Sequence, residues 1–240
     1  MTEELFRGDA YLKTCEATVL HAGPEGIVLD RTVFYPLGGG QPGDTGTLAL
    51  PGGGETAIAD TSKDRETGEH RHIPAAGAAL PAAGDAVTCA IDWDRRYRHM
   101  RVHTAMHLMC AVIDGDVTGG QVGDGKGRLD FDLPDTALDK AAIEAALNDL
   151  IGADLPVGAE WISDEELAAR PDLVRTLSVK PPMGAGRVRL LRIGDAADTV
   201  DLQPCGGTHV ARTGEIGPVA IGKIENKGRR NRRVNFRLAE

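Results

Sequence analysis

Two pairs of metal-seeking side chains, a domain's length apart, constrain this chain more than any other feature: His103-Thr-Ala-Met-His107 and Cys205-Gly-Gly-Thr-His209. The first pair lies in Asp94 to Ile113, a stretch free of Gly and Pro. Its apolar residues at Met100, Val102, Met106, Leu108 and Met109 have the period of a helix. Helical residues four apart face one side, so both imidazoles can share a metal. In the second pair Gly206 and Gly207 favour a tight loop, which lets thiolate and imidazole converge. Either pair alone is compatible with ordinary side chains on a helix or a turn. Together, three His and one Cys form a borderline-soft tetrahedral set suited to one zinc ion per chain. The wide separation differs from zinc-finger spacing, so a preformed domain must bring the pairs together. Thr104 stands where a zinc protease has its general-base glutamate, which disfavours peptide hydrolysis and leaves an activated ester as the easier substrate.

Charge adds a second constraint. The chain has 36 acidic and 27 basic residues and a net charge of -9, which argues against general nucleic-acid binding. Against that background Lys223, Lys227, Arg229, Arg230, Arg232, Arg233 and Arg237 crowd into one stretch with a single acid, Glu225. Such a concentration suits a polyanion such as RNA. Its bland alternative is a solvated charged hairpin turning at Asn226-Lys-Gly-Arg. Asp94-Arg-Arg-Tyr-Arg at the helix start offers further contacts or structural ion pairs.

Four scattered cysteines are too few for a disulfide framework. Cys15, Cys89 and Cys110 read as small buried apolar residues kept as thiols in a reducing compartment. No apolar run is long enough to span a bilayer, and the first residues lack the pattern of a secretory leader. The expectation is a cytoplasmic protein without a membrane partner, a monomer or weak homodimer.

The first ninety residues are dense in Gly, Pro and β-branched residues, with short runs at Ala17-Thr-Val-Leu, Gly26-Ile-Val-Leu and Ala86-Val-Thr-Cys-Ala-Ile. That is the pattern of a small β-barrel or sandwich. The Gly68 to Gly84 region reads as surface loop. A second helix is expected over Asp135 to Ile151, and a short third over Asp164 to Arg170, opened by a Ser163/Glu166 capping box. Strands return at Arg187 to Ile193, Gly217 to Ile224 and Arg232 to Leu238. The fold class is therefore α+β: a β-barrel-like domain over residues 1–92, then an α+β zinc-binding domain over 93–240.

The ordered set His103-Thr-Ala-Met-His107-Leu, Gln121-Val-Gly, Arg128-Leu-Asp-Phe131, Cys205-Gly-Gly-Thr-His-Val and Thr213-Gly-Glu-Ile-Gly217 resembles the editing domain of alanyl-tRNA synthetase. Phe34-Tyr-Pro-Leu-Gly-Gly-Gly-Gln-Pro-Gly-Asp-Thr-Gly46 looks like the glycine-rich block that precedes it. With no adenylation module around these motifs, the chain is similar to the two-domain, free-standing AlaX-type trans-editing proteins, and the likeness covers nearly all of it.

The resemblance implies zinc-assisted hydrolysis of mischarged tRNA(Ala), releasing serine in the first place and glycine in the second, with His103, His107, Cys205 and His209 as ligands. A pocket made for alanine cannot reject glycine by size and rejects an added hydroxyl only modestly, so a second, hydrolytic site has a purpose. Gln121 is the implied polar residue of the pocket, against a reading as surface glutamine. Thr104 and Thr208 offer hydroxyls beside the ligands, for substrate sensing or for local backbone bonding. Gly38, Gly39, Gly40 and Gln41 are either a loop over the cleft near the bound acceptor end or an ordinary hairpin of the barrel. Asp124 departs from the family's small hydroxyl residue and puts serine discrimination in doubt. Two other functions suit the same residues: a zinc-dependent hydrolase of a small metabolite, and a non-catalytic tRNA-binding module with structural zinc.

Overall fold

The structure is a computed structural model that describes residues 2–134, 137–176 and 186–239. Contacts divide the chain into two compact units, Met1–Arg98 and His99–Glu240.

In the first unit a short strand β1 (Glu3–Glu4) is followed by β2 (Thr14–Gly23), β3 (Gly26–Leu29), β4 (Arg31–Thr32), β5 (Gly46–Ala49), β6 (Glu55–Lys63), β7 (His70–Pro74) and β8 (Ala86–Ile91). Six of them close a barrel in the order β2-β3-β7-β6-β5-β8. Alternation directs Ala17 and Val19 of β2, and Val87, Cys89 and Ile91 of β8, into a core with Ile27, Leu29, Phe34 and Leu48. The Gly68 to Gly84 segment is thus not all loop: His70–Pro74 completes the barrel, and His72 is buried between Thr32 Oγ1 at 2.7 Å and the Ile27 carbonyl at 2.9 Å. Cys15 is only half-buried and stands opposite Cys89 across the β2–β8 pair, unlike the fully buried residue expected.

The glycine-rich block is anchored by an ion pair. Asp44, 1% exposed, accepts from the Tyr35 amide at 2.6 Å and from Arg96 Nε at 2.9 and 3.0 Å. Arg96 is itself fully buried and donates on to the carbonyls of Val33 and Ala10, so both charges are paired where water cannot reach. A Cβ on Gly43 would lie 2.0 Å from the Thr61 carbonyl oxygen, so only glycine permits this approach.

Helix α1 (Trp93–Val112) opens with Asp92, whose carboxylate accepts from the Arg95 amide at 3.1 Å. In the second unit β9 (Asp116–Val122) and β10 (Lys126–Asp132) form a hairpin. Then come α2 (Lys140–Gly152), β11 (Val157–Ser163), α3 (Asp164–Ala168), β12 (Arg187–Asp195), β13 (Asp198–Pro204), β14 (Val219–Asn226) and β15 (Asn231–Leu238). Two sheets result, ordered β14-β15-β10-β9 and β11-β12-β13.

The second helix starts later than its sequence suggests. Asp139 caps it by accepting from the amides of Ala141 and Ala142, while Ala137 and Leu138 are not helical; Asp135 and Thr136 lie outside the described residues. Its buried stripe is Ile143, Leu147 and Ile151, and it also makes polar contacts. Asn148 exchanges two hydrogen bonds with the Val219 backbone, and Glu144 accepts from the Ile221 amide at 2.7 Å. The helix thereby satisfies groups that the edge strand β14 would otherwise leave open. Helix α3 has the expected capping box, with Glu166 N 3.0 Å from Ser163 Oγ and Ser163 N 2.7 Å from the Glu166 carboxylate.

Candidate metal centre

Helix α1 can present its histidines because it lies close on the sheet beside it. A Cβ on Gly127 would meet Phe236 at 2.7 Å and Val102 at 2.8 Å, so the missing side chain is what lets the helix and β10 approach. With Val102 and Met106 turned to this sheet, His103 and His107 emerge on another face of the helix, toward the segment that follows β13.

There the two pairs meet. The donor atoms of His103, His107, Cys205 and His209 all lie within 4.8 Å of one another. Cys205 Sγ is 3.2 Å from His209 Nε2 and 3.7 Å from His103 Nε2. A tetrahedral zinc with bonds of about 2.0–2.3 Å needs donors roughly 3.3–3.8 Å apart. The donor set therefore fits a zinc-sized ion. The three histidines are at most 7% exposed, so the centre lies in a shielded, low-dielectric position.

Neighbouring groups fix each ligand. His107 Nδ1 is 2.8 Å from Asp201 Oδ2, which leaves Nε2 for the metal. Gln203 Nε2 donates to both oxygens of that carboxylate at 3.0 Å and holds it in place. Thr104 Oγ1 donates to the Met100 carbonyl at 2.9 Å, so it accepts from His209 Nδ1 at 3.2 Å and from the Val210 amide at 3.3 Å. Arg189 Nη1 spans the carbonyls of Cys205 at 2.8 Å and Gly207 at 3.2 Å, and the Gly207 amide points to Cys205 Sγ at 3.4 Å. The glycine pair is thus the turn expected, clamped by an arginine.

The electrostatics of the cluster favour a thiolate at Cys205. Burial opposes ionisation of Cys205, yet the imidazoles of His103, His209 and His107 outweigh it and hold the thiol well below its ordinary range. Burial also opposes a charged His107, but the Cys205 thiolate and Asp201 raise it to about 10. Burial drives His209 down to about 3. A metal ion that displaces the His107 proton meets the Cys205 thiolate beside the imidazoles of His107 and His209.

Several sequence readings change here. Thr104 and Thr208 are both fully buried, and the Thr104 hydroxyl is saturated by its three partners, so its work is to orient His209. Gln121 is exposed on β9, paired with Arg128, whose Nε lies 3.3 Å from Oε1. Gln41 is fully buried and bonds back to Gly38 as a tight turn, leaving Gly39 and Gly40 as the exposed part of that loop. The basic stretch forms the β14–β15 hairpin, but it does not lack balancing acids. Asp130 and Asp132 of β10 pair with Arg233 and Arg230, and Glu225 lies between Lys223 and Lys227. The sequence reading leaves out Asp201, Gln203 and Arg189. For the first two the signal is the period of two in Asp201-Leu-Gln203, which puts both polar groups on one face of β13, in line with Cys205 just beyond it.

Fold and cluster together define a two-unit module with four donors that could hold a metal ion, and the comparisons agree. Residues 188–235 match the family described as the threonyl and alanyl tRNA synthetase second additional domain, and residues 9–95 match class II (A) tRNA synthetases. Over the full length of both, the chain is 40% identical to the alanyl-tRNA editing protein AlaX-M of Methanosarcina acetivorans. It is 33% identical to the protein of the same name from Saccharolobus solfataricus, over 98% of each. Against the alanine-tRNA ligase of Pyrobaculum calidifontis it is 35% identical, matching 93% of this chain and 25% of the ligase. The chain belongs to the AlaX family of alanyl-tRNA editing proteins.

Proposed function

We propose that the chain is a trans-editing hydrolase that deacylates mischarged tRNA(Ala), releasing serine and also glycine, in the cytoplasm where charged tRNA is used. The observation that carries this reading is the convergence of His103, His107, Cys205 and His209 within one chain of this family. Those four residues would hold one zinc ion, which supplies a Lewis acid and lowers the pKa of water at the site.

The chain's own groups supply the rest. Asp201 and Thr104 keep the Nδ1 atoms of His107 and His209 engaged, so ligand geometry survives turnover. Arg128 fixes Gln121 Oε1 as an acceptor, which presents the amide NH2 as a donor to the ester carbonyl, where negative charge grows during attack. The exposed backbone of Gly39 and Gly40 offers contacts to the tRNA. Lys223, Lys227, Arg229, Arg230, Arg232 and Arg233 surround the β14–β15 turn, and phosphates can draw on the charge that Asp130, Asp132 and Glu225 do not cancel.

The test is deacylation of purified Ser-, Gly- and Ala-tRNA(Ala), with Gln121→Ala beside the parent chain. Release of serine or glycine with Ala-tRNA(Ala) spared supports the reading. Release of neither, or equal activity on free amino-acid esters without tRNA, contradicts it.

A further inference from the structure

Of the two tryptophans, Trp93 stacks on Tyr97 at 5.5 Å, whereas Trp161 on β11 is 43% exposed. The Trp161 ring is capped by the Arg187 guanidinium, 4.5 Å from its centroid. Register fixes where this pair points. Trp161 stands opposite Arg189, and the Cys205 amide donates to the Arg189 carbonyl at 3.1 Å, so Trp161, Arg189 and Cys205 form one row across the sheet. Residues in such a row share a face. The other face is taken by Val188, Leu190, Ile162 and Leu202, packed with Leu167 and Leu173. Trp161 and Arg187 therefore lie on the face that carries Asp201, Gln203 and Cys205, with Trp161 two strand spacings or ~10 Å from the thiolate ligand and Arg187 on the strand between, two residues along from Arg189.

We infer that Trp161 and Arg187 form a stacking platform for the terminal adenine of the substrate tRNA, setting its ester over the metal centre. The inference rests on the deacylase reading, since that ester sits on the ribose of a terminal adenosine. The offset from Cys205 is comparable to the reach from a nucleotide's base to an acyl group on its ribose. Flat aromatic and guanidinium surfaces bind unpaired bases by stacking, at about 1–3 kcal/mol per base. Neither residue is among the four donors, so the platform binds and positions without entering the chemistry.

Two readouts test it. In steady-state deacylation of Ser-tRNA(Ala), Trp161→Ala raises KM about 10-fold with kcat within two-fold of the parent, and Trp161→Phe restores most of the loss. A role limited to protecting the edge strand would lower stability and leave KM alone. Independently of turnover, the trinucleotide CCA quenches the tryptophan fluorescence of the parent chain and not that of Trp161→Phe. Unchanged KM in Trp161→Ala, or no quenching by CCA, overturns the platform. An inactive parent chain that is still quenched at Trp161 overturns the deacylase reading and leaves the platform standing.

Discussion

His107 Nδ1 and Asp201 Oδ2, 94 residues apart in sequence, lie 2.8 Å from each other in a buried pair that fixes which imidazole nitrogen faces the metal. Asp201→Asn can still accept this hydrogen bond but removes the charge that favours it. Metal affinity falls about 10- to 100-fold, as is usual when such a partner is lost. Competition with a chromophoric chelator measures it, and an unchanged affinity would make Asp201 a bystander.

The arginines of the β14–β15 hairpin divide into two groups. Arg229 and Arg237 are exposed, whereas Arg233 is held by Asp130 at 2.7 and 2.8 Å. Neutralising Arg229 weakens tRNA binding evenly across sequences and lowers the salt slope by about one. Arg233→Ala removes two hydrogen bonds from the 7% exposed Asp130, which keeps only Arg128 Nη1 at 2.9 Å among its arginine partners, and lowers stability instead. Filter binding at several salt concentrations, with urea unfolding of the same variants, separates the two effects.

Arg96 and Asp44 form the anchor of the glycine-rich block. Arg96→Met leaves a carboxylate without its charge partner in a site closed to water, a loss of about 3–5 kcal/mol. The variant Arg96→Met with Asp44→Asn recovers part of it, because no charge is then buried alone. Chemical denaturation reports both, and equal stability of the two variants would remove the ion pair from the account.

Acid should loosen the barrel through His72. Burial and the neighbouring His70 lower its pKa from 6.5 to about 3. As pH falls below 6.5 the unfolded chain takes up a proton that the folded chain refuses. The stability present above 6.5 is therefore lost progressively down to about 3, by up to ~1.4 kcal/mol per pH unit. Urea unfolding between pH 7 and 4.5 shows the slope, and His72→Gln makes it shallower.

The sequence discloses the site's ligands better than their supports. The two ligand pairs and the Ser163 cap carry their chemistry in adjacent residues, so spacing alone exposes them. Asp201 acts through His107, on an element far away in sequence, and β13 is short and ends at Pro204, which hides its alternation. Strands β9 and β10 are not assigned from sequence, since Gly119, Gly120 and Gly127 interrupt their apolar alternation, although Gly127 is small so that α1 can approach. Counting charge along the C-terminal stretch alone overstates it, because Asp130 and Asp132 arrive from the neighbouring strand. Helix α2 begins at Lys140 because Asp139 accepts two amides there, a local bond that competes with the apparent start after Pro134.

The central claim is that the four donors hold one metal ion on which editing depends. It is tested by stripping the protein with a chelator and measuring Ser-tRNA(Ala) deacylation as zinc is returned in fractions of an equivalent. The account predicts a folded but inactive stripped protein, activity rising in proportion to zinc and levelling at one equivalent, and no recovery in Cys205→Ala. Full activity in the stripped protein, or recovery in Cys205→Ala equal to that of the parent chain, would contradict it.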